Sequence, residues 1–394
     1  MIERINDSTS IGAYPESRSL SLLSGGDSIE LAYVIESEVI YLISSDYNAR
    51  WPSYILRNRK ADFTIGKVSG SRRPSLITSG EERENVLRKF IAKYGNDYVR
   101  KYFSRPARFI RLDICTERQE TGGNYYRWLE EEFDSVADNY DEHIFGNRIN
   151  VLLRERSLKK LRKYLGKHQN VLEIGCGTGA ETMELLRDGH EVFAIDISSR
   201  MLDNINEKAR KEGINERLST MKLGASRIGE LEGILGTSAF DAGYSTYGAL
   251  NCEPDIEKIP GALSVLIKPG GYFIAGVYNK FCLAEMASNI LSLKGSRLFW
   301  RLKNPIREGR SRFCIDVYSF SFREFMSIFG SCFKALETDA VPIILPPSNF
   351  TRLINFLDLS YEKLDIIDQK LAGKWPMKYM GDHFLTVLQN RIGS

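Results

Sequence analysis

No C-x-x-C pair and no regular cysteine spacing occur in this sequence; Cys115, Cys176, Cys252, Cys282, Cys314 and Cys332 are scattered along it. That gives no disulfide framework and fits a reducing cytoplasm. No metal-ligand cluster is apparent, and only four histidines are present. No run of about 18 apolar residues exists, which excludes a membrane-spanning helix of the usual kind. The opening residues, Met1 to Ser10, lack the charged-then-apolar form of a signal peptide. An excess of one charge is missing too: 54 Lys and Arg against 51 Asp and Glu leave +3, so no bulk attraction to nucleic acid is implied. What is present is a 43% hydrophobic content over 394 residues, enough for two domains at about 100 to 200 residues each.

The densest pattern lies between Asn170 and Asp196, NVLEIGCGTGAETMELLRDGHEVFAID. Val171, Leu172 and Ile174 predict a buried parallel strand, Gly175-Cys176-Gly177-Thr178-Gly179 a turn, and Met183, Leu185 and Leu186 a helix. A second strand, Val192 to Ile195, ends in Asp196, where a nucleoside-binding fold places a carboxylate for ribose hydroxyls. Glycine turns of this kind serve both dinucleotides and S-adenosylmethionine. Glu173 ahead of Gly175, Gly177 and Gly179, with Ala180 at the sixth position of the turn, resembles the E-x-G-x-G-x-G motif of class I S-adenosylmethionine-dependent methyltransferases.

That resemblance implies S-adenosyl-L-methionine as cofactor. Glu173 would lie near its methionine amino group, Gly175, Cys176, Gly177 and Gly179 would form the backbone cradle, and Asp196 would take the ribose diol. Ile197 and Met201 are placed to flank the adenine ring, with Ser198 as the N-cap of the helix that carries Met201. Ala225 and Ser226 stand in Gly224-Ala225-Ser226, where the family usually has G-D, and a backbone N–H there would read adenine. Ser245, near the end of a fourth strand from Phe240, would lie beside the cofactor. The turn Lys268-Pro269-Gly270-Gly271 after Ile267 resembles the family's L-x-P-G-G landmark before strand five, Tyr272 to Val277. Strands six and seven are expected at Phe333 to Leu345 and Phe384 to Gln389, the last antiparallel. The implied fold class is α/β, a seven-stranded doubly wound Rossmann-like domain over 124–394.

Residues 1–115 lie outside that pattern and are mostly β. Ser19 to Leu23, Ser28 to Glu36 and Glu38 to Ser44 are β-rich runs; Trp51 to Lys60 is helical in pattern. Asp62 to Ser69 and Pro74 to Thr78 suggest a hairpin around Gly70-Ser71, with Arg72 and Arg73 at a solvated tip. Gly80 to Tyr102 forms a charged amphipathic helix pair, and Phe109 to Asp113 a further strand. Trp51, Leu56, Arg57 and Asn58, then Gly80-Glu81-Glu82-Arg83, then Ala107-Arg108-Phe109-Ile110 after Pro106, resemble the split β-barrel deazaflavin-dependent nitroreductase family. The phosphate-binding hairpin of that family is basic, whereas this chain has Ser24-Gly25-Gly26-Asp27. A structural or dimerising barrel and a flavin- or deazaflavin-binding one both remain open.

Polar residues 116–123 are the expected linker. Phe133-Asp134, Ala137 and Tyr140-Asp141 resemble the FD-x-x-A-x-x-YD helix of small-molecule methyltransferases, where the tyrosine closes over the cofactor. Tyr140 is therefore a lid candidate, although Phe133, Val136 and Tyr140 also fit a plain apolar face. Two insertions, 279–317 and 346–382, should roof the carboxyl end of the sheet. The first mixes apolar residues up to Trp300 with arginines from Arg297 to Arg312, which suits a peripheral membrane or lipid contact, an acidic and hydrophobic substrate, or a packed lid with a solvated basic face. The second should hold a helix from Asn355 to Leu371. His383 beside Asp382 opens strand seven and is the candidate base or substrate contact. No N-P-P-Y or D-P-P-Y occurs at the fourth strand, which argues against adenine or amide-nitrogen methylation.

The expectation is a cytoplasmic homodimeric enzyme, with a small, hydrophobic or lipid-like acceptor and no nucleic acid. An oxidoreductase using the N-terminal domain, or a non-catalytic cofactor-binding protein, are the alternatives.

Overall fold

Runs of Val, Ile, Leu, Tyr and Phe broken by glycine or acidic residues favour short strands, and these dominate the first third of the chain. The computed structural model describes residues 3–4, 19–24, 27–36, 39–45, 49–58, 61–66, 68–103, 108–113, 124–291, 299–302, 306, 316–347 and 361–391. It divides into two compact units, the first over Met1–Ser135 and the second over Val136–Arg307 and Asp316–Ser394. The expected linker, 116–123, lies outside the described residues.

In the first unit the strands are β1 (Glu3–Arg4), β2 (Leu20–Ser24), β3 (Asp27–Leu31), β4 (Tyr33–Glu36), β5 (Val39–Ser44), β6 (Ala61–Ile65), β7 (Val68–Leu76) and β8 (Arg108–Asp113). Their order is β3-β2-β6-β7-β8-β5-β4, with β1 paired to β7. β3 and β4 are separated by Ala32 alone, so the two ends of this path are contiguous in the chain. Both faces of β5 are covered: Ile40 and Leu42 join one apolar cluster with Leu22, Trp51 and Phe63, while Tyr41 and Ile43 join another with Val86, Phe90 and Phe109. A strand buried on both sides has no polar alternation to keep. Helices α1 (Arg50–Asn58), α2 (Gly80–Tyr94) and α3 (Asn96–Phe103) complete the packing.

Three details differ from expectation. The β6–β7 turn is at Gly66, whose φ of 60° suits glycine, and not at Gly70-Ser71. Gly70 sits inside β7 opposite Phe63, where an added Cβ would come within 2.9 Å of that ring. Arg72 is consequently a buried strand residue paired across to Ala61, not a tip; the Arg73 side chain lies outside the described residues. Finally, α4 (Asn124–Val136) falls almost wholly in the first unit, where buried Glu132 pairs with Arg108 of β8 at 3.4 Å.

In the second unit the sheet runs β11 (Leu218–Lys222), β10 (Glu191–Asp196), β9 (Asn170–Ile174), β12 (Phe240–Ser245), β13 (Ile267–Tyr278), β15 (His383–Asn390), β14 (Phe333–Val341). β9 to β13 are mutually parallel, and β15 lies antiparallel between β13 and β14. Alternate residues face opposite layers. Val171, Ala194 and Ile274 pack with α6 (Arg148–Tyr164), α7 (Ala180–Arg187) and α8 (Ser199–Lys211). Leu172, Ile195 and Phe273 pack with α9 (Glu230–Leu235), α10 (Ile259–Leu266) and α12 (Phe322–Phe329). This is a mixed seven-stranded α/β sheet with helices on both faces.

Beyond β13 the chain forms α11 (Leu283–Leu291), and between β14 and β15 it forms α13 (Tyr361–Ala372). Residues 355–360 of the helix expected from Asn355 lie outside the described residues. β14 stops at Val341, short of Leu345, because Asp368 of α13 collects the N–H groups of Ile343, Ile344 and Leu345 at 2.8, 2.8 and 3.2 Å. Among the described residues no helix is long and apolar enough to cross a membrane.

Candidate active site

The turn after β9 is built for close approach. Gly175, Gly177 and Gly179 have φ of 75°, 53° and 78°, a region that L side chains rarely adopt. A Cβ on Gly175 would lie 2.2 Å from Ala249 Cβ, and one on Gly179 2.3 Å from Ile205 Cδ1. Gly177 differs: a Cβ there would meet only the Tyr140 ring, at 3.5 Å. The N–H groups of Gly175 and Cys176 both donate to Ile195 O, tying the turn to β10. Cys176 is buried, and burial pushes its thiol well above the ordinary range.

Asp196 ends β10 with its carboxylate aimed back at this turn, accepting Gly177 N–H at 2.8 Å and Ser198 N–H at 2.9 Å. Ser198 in turn caps α8 by accepting Met201 N–H at 3.1 Å. Met201 is buried and Ile197 half-buried. Glu173 lies under the turn, buried, and accepts the Thr182 hydroxyl. Burial raises its carboxyl to about 8 against that hydrogen bond.

Tyr140 opens α5 (Tyr140–Phe145), and the segment before it is bolted to one face of α8. Arg200 pairs with Asp138 at 3.0 Å, Asn204 Nδ2 donates to Ala137 O at 3.0 Å, and Lys208 pairs with Asp141 and donates to Thr178 O at 2.8 Å. Asp141 also accepts the Thr178 hydroxyl at 2.5 Å. Burial pushes the Tyr140 phenol up to about 12, so it remains a neutral donor.

Two expected contacts are differently engaged. Ser226 N–H donates to Glu253 at 3.1 Å, so it is not free to read adenine. Glu253, buried and also accepting Asp255 N–H at 3.0 Å, puts a carboxylate against Gly224-Ala225-Ser226, which carries none. Ser245 reaches the sheet end as expected, yet its hydroxyl donates to Ile174 O at 2.9 Å and braces β12 on β9. The sequence reading also missed Arg154 of α6 and buried Glu181 at the first turn of α7, an ion pair, with Thr246 donating to the same carboxylate at 3.3 Å. A cleft of about 740 Å³ opens beside the turn, lined by Asp141, Phe145, Arg154, Gly179, Met183 and Lys208. Neither Asp196 nor His383 lines it.

At the other side of the sheet end, His383 pairs with Tyr278 of β13 and Val341 of β14. Its Nδ1 lies 3.1 Å from Asp382, and the rings of Tyr278 and Tyr247 flank it at 5.3 and 6.2 Å between centroids. Arg301 is buried among Glu285 and Asp382, both at 2.6 Å, Asn279 O at 3.0 Å and the Tyr278 ring at 4.1 Å. It therefore does not face solvent or substrate as expected of the arginines of this insertion; two buried carboxylates claim its charge. Burial raises the Asp382 carboxyl, but the Arg301 guanidinium outweighs it and holds the group at about 2. Arg297, Arg307, Arg310, Arg312 and the Trp300 side chain lie outside the described residues.

Residues 171–271 match the family described as "Methyltransferase domain". The matched stretch lies within the second unit. The residues of the turn would fit S-adenosyl-L-methionine, the cofactor that the sequence resemblance implies: a left-handed glycine cradle open only at Gly177, with the Asp196 carboxylate beside it. The chain is similar to a sterol 4-C-methyltransferase of Caenorhabditis elegans, 26% identical over 41% of this chain and 50% of that one. It is similar to a demethylmenaquinone methyltransferase of Bacteroides fragilis, 24% identical over 37% and 58%, and to a tRNA 5-carboxymethoxyuridine methyltransferase of Escherichia coli, 22% identical over 37% and 56%. The chain thus spans about half the length of the curated relatives it matches.

Proposed function

We propose that this protein methylates a small apolar molecule bound at the carboxyl ends of β12 and β13 and the amino end of β15. The observation that carries the reading is the His383–Asp382 pair at 3.1 Å, set between two tyrosines and three strands from the glycine turn in the same sheet. S-adenosyl-L-methionine, when bound, supplies a sulfonium methyl for in-line displacement. Glu173, Asp196 and the glycine turn hold and orient it, and Tyr140 covers Gly177. His383 takes the proton that an oxygen or nitrogen acceptor releases, with the Asp382 carboxylate beside it. Ile197, Met201 and Ala225 frame the adenine end.

Two of the relatives act, by their names, on a sterol and on demethylmenaquinone, neither of them a nucleic acid. A third acts on tRNA, but the near balance of charge here, +3, supplies no excess for a polyanion. The test is transfer of labelled methyl into cell extract. Label in the solvent-extractable fraction is expected; label confined to RNA would overturn the acceptor class.

For the first unit we infer a split barrel that pairs subunits in a cytoplasmic homodimer. Contiguity of β3 and β4 supports closure of the sheet path, and exposed Ile91, Tyr98 and Tyr102 on α2 and α3 support a contact. A flavin- or deazaflavin-linked activity remains the alternative for this unit, and a non-catalytic cofactor-binding role the alternative for the chain.

A further inference from the structure

Outside the site, Trp375 on the second insertion is the most exposed large apolar side chain among the described residues, and two isoleucines near it are also in water. Trp375 is 81% exposed, Ile366 54% and Ile367 47%. Along α13, Lys363, Ile366, Ile367 and Lys370 recur at i, i+3, i+4 and i+7, one face of a helix, and Lys374 and Trp375 follow directly. The opposite face is spent inward, with Asp368 and Ala372 buried and Asp365 and Asp368 paired to Arg156. Among residues 361–380, Glu362 is the only exposed carboxylate, against exposed Lys363, Lys370 and Lys374.

The segment that follows Trp375 is tied to the first insertion. Asn279 Nδ2 donates to Phe281 O, Tyr379 O and Gly381 O at 2.8, 2.8 and 3.0 Å, and Leu283 N–H donates to Met380 O at 2.9 Å. Exposed Phe281 is thereby fixed beside the segment that follows Trp375. The knot sits where β13 ends and β15 begins, next to His383.

We propose that α13 and the Trp375 turn, with Phe281, seat on an anionic lipid bilayer, so that an apolar acceptor reaches the His383 side of the sheet from the membrane interface. The proposal rests on the reading of an apolar acceptor given above. An exposed helix face of isoleucines flanked by lysines and followed by tryptophan suits the boundary between headgroups and acyl chains, and the lysines add attraction to anionic lipid. A second copy of this face is a poor occupant, because a two-fold contact would set Lys363, Lys370 and Lys374 against themselves.

Sedimentation of the full chain with vesicles tests this, using phosphatidylcholine alone and phosphatidylcholine mixed with phosphatidylglycerol. The wild type should pellet with the mixed vesicles and not with phosphatidylcholine. Lys370→Glu with Lys374→Glu should weaken that binding about tenfold or more, and Ile366→Ser, Ile367→Ser and Trp375→Ala together should abolish it. S-adenosylmethionine binding, read by calorimetry, should be unchanged in both variants, which controls for folding and separates this proposal from the donor assignment. Absence of wild-type binding to mixed vesicles, or equal binding by folded variants, overturns it. So does a self-association of the wild type that the triple variant removes, since a second copy then covers the face.

Discussion

Glu173 and Asp382 are both buried acids, and their environments push them in opposite directions. No full positive charge is bonded to Glu173, so burial raises it from 4.5 to about 8. A folded state that holds this proton more tightly than the unfolded chain loses stability as pH rises across the window between those values. The contribution is greatest below 4.5 and gone above about 8. Glu173→Gln should therefore flatten the fall in unfolding free energy over this range, on the order of a few kcal/mol, measured by denaturant titration at a series of pH values. Asp382 has the reverse sign: Arg301 lowers it from 3.8 to about 2, so its stabilisation is present above 3.8 and lost as pH falls through about 2. Asp196 tests the donor site itself. Its carboxylate already orders the turn through Gly177 and Ser198, so Asp196→Ala should lower S-adenosylmethionine affinity about tenfold or more. Unchanged calorimetric affinity would remove Asp196 from the site.

At the scale of elements, the second sheet was legible because parallel strands covered on both faces are unbroken apolar runs punctuated by glycine turns. Glu173, the three glycines and Asp196, which the structure brings together at one turn, were singled out for the same reason: they sit at fixed offsets along one strand, turn and strand. Arg154, Glu181 and Glu253 were not, since each matters through a partner remote in sequence. One helical signal was available and passed over: Arg200, Asn204 and Lys208 recur at i, i+4 and i+8, and together they hold the Tyr140 segment. The contiguity of β3 and β4 at Ala32 was equally invisible, because it depends on which strand each half pairs with. Arg301 is the clamp between the insertions, with Glu285 on α11 and Asp382 before β15. Arg301→Ala would take the guanidinium away from two buried carboxylates, a cost of about 3 to 5 kcal/mol. Urea unfolding should show it, and a loss within 0.5 kcal/mol, roughly the surface-substitution range, would mean the clamp carries no load.

For the whole molecule the open question is what the first unit contributes. Open sheet edges are one reason for subunits to pair, and the contiguity of β3 with β4 weakens it: the strands that end the path adjoin each other in the chain. The remaining reason lies on the helices. Tyr94, Tyr98 and Tyr102 stack in succession at 5.1 and 4.7 Å between centroids, and Tyr98, Tyr102 and Ile91 stay exposed. Aromatic area held in a rigid row is the kind of surface that interfaces use, since little side-chain freedom is lost on contact. Lys93 and Lys101, over Tyr33 and Tyr102, would keep their charge at the rim. Tyr98→Ala with Tyr102→Glu should then convert the full chain from dimer to monomer in sedimentation velocity while S-adenosylmethionine binding by the second unit persists. A wild type that is monomeric at every concentration refutes pairing through this stripe. A purified protein with a flavin or deazaflavin absorbance would instead give the first unit a redox role.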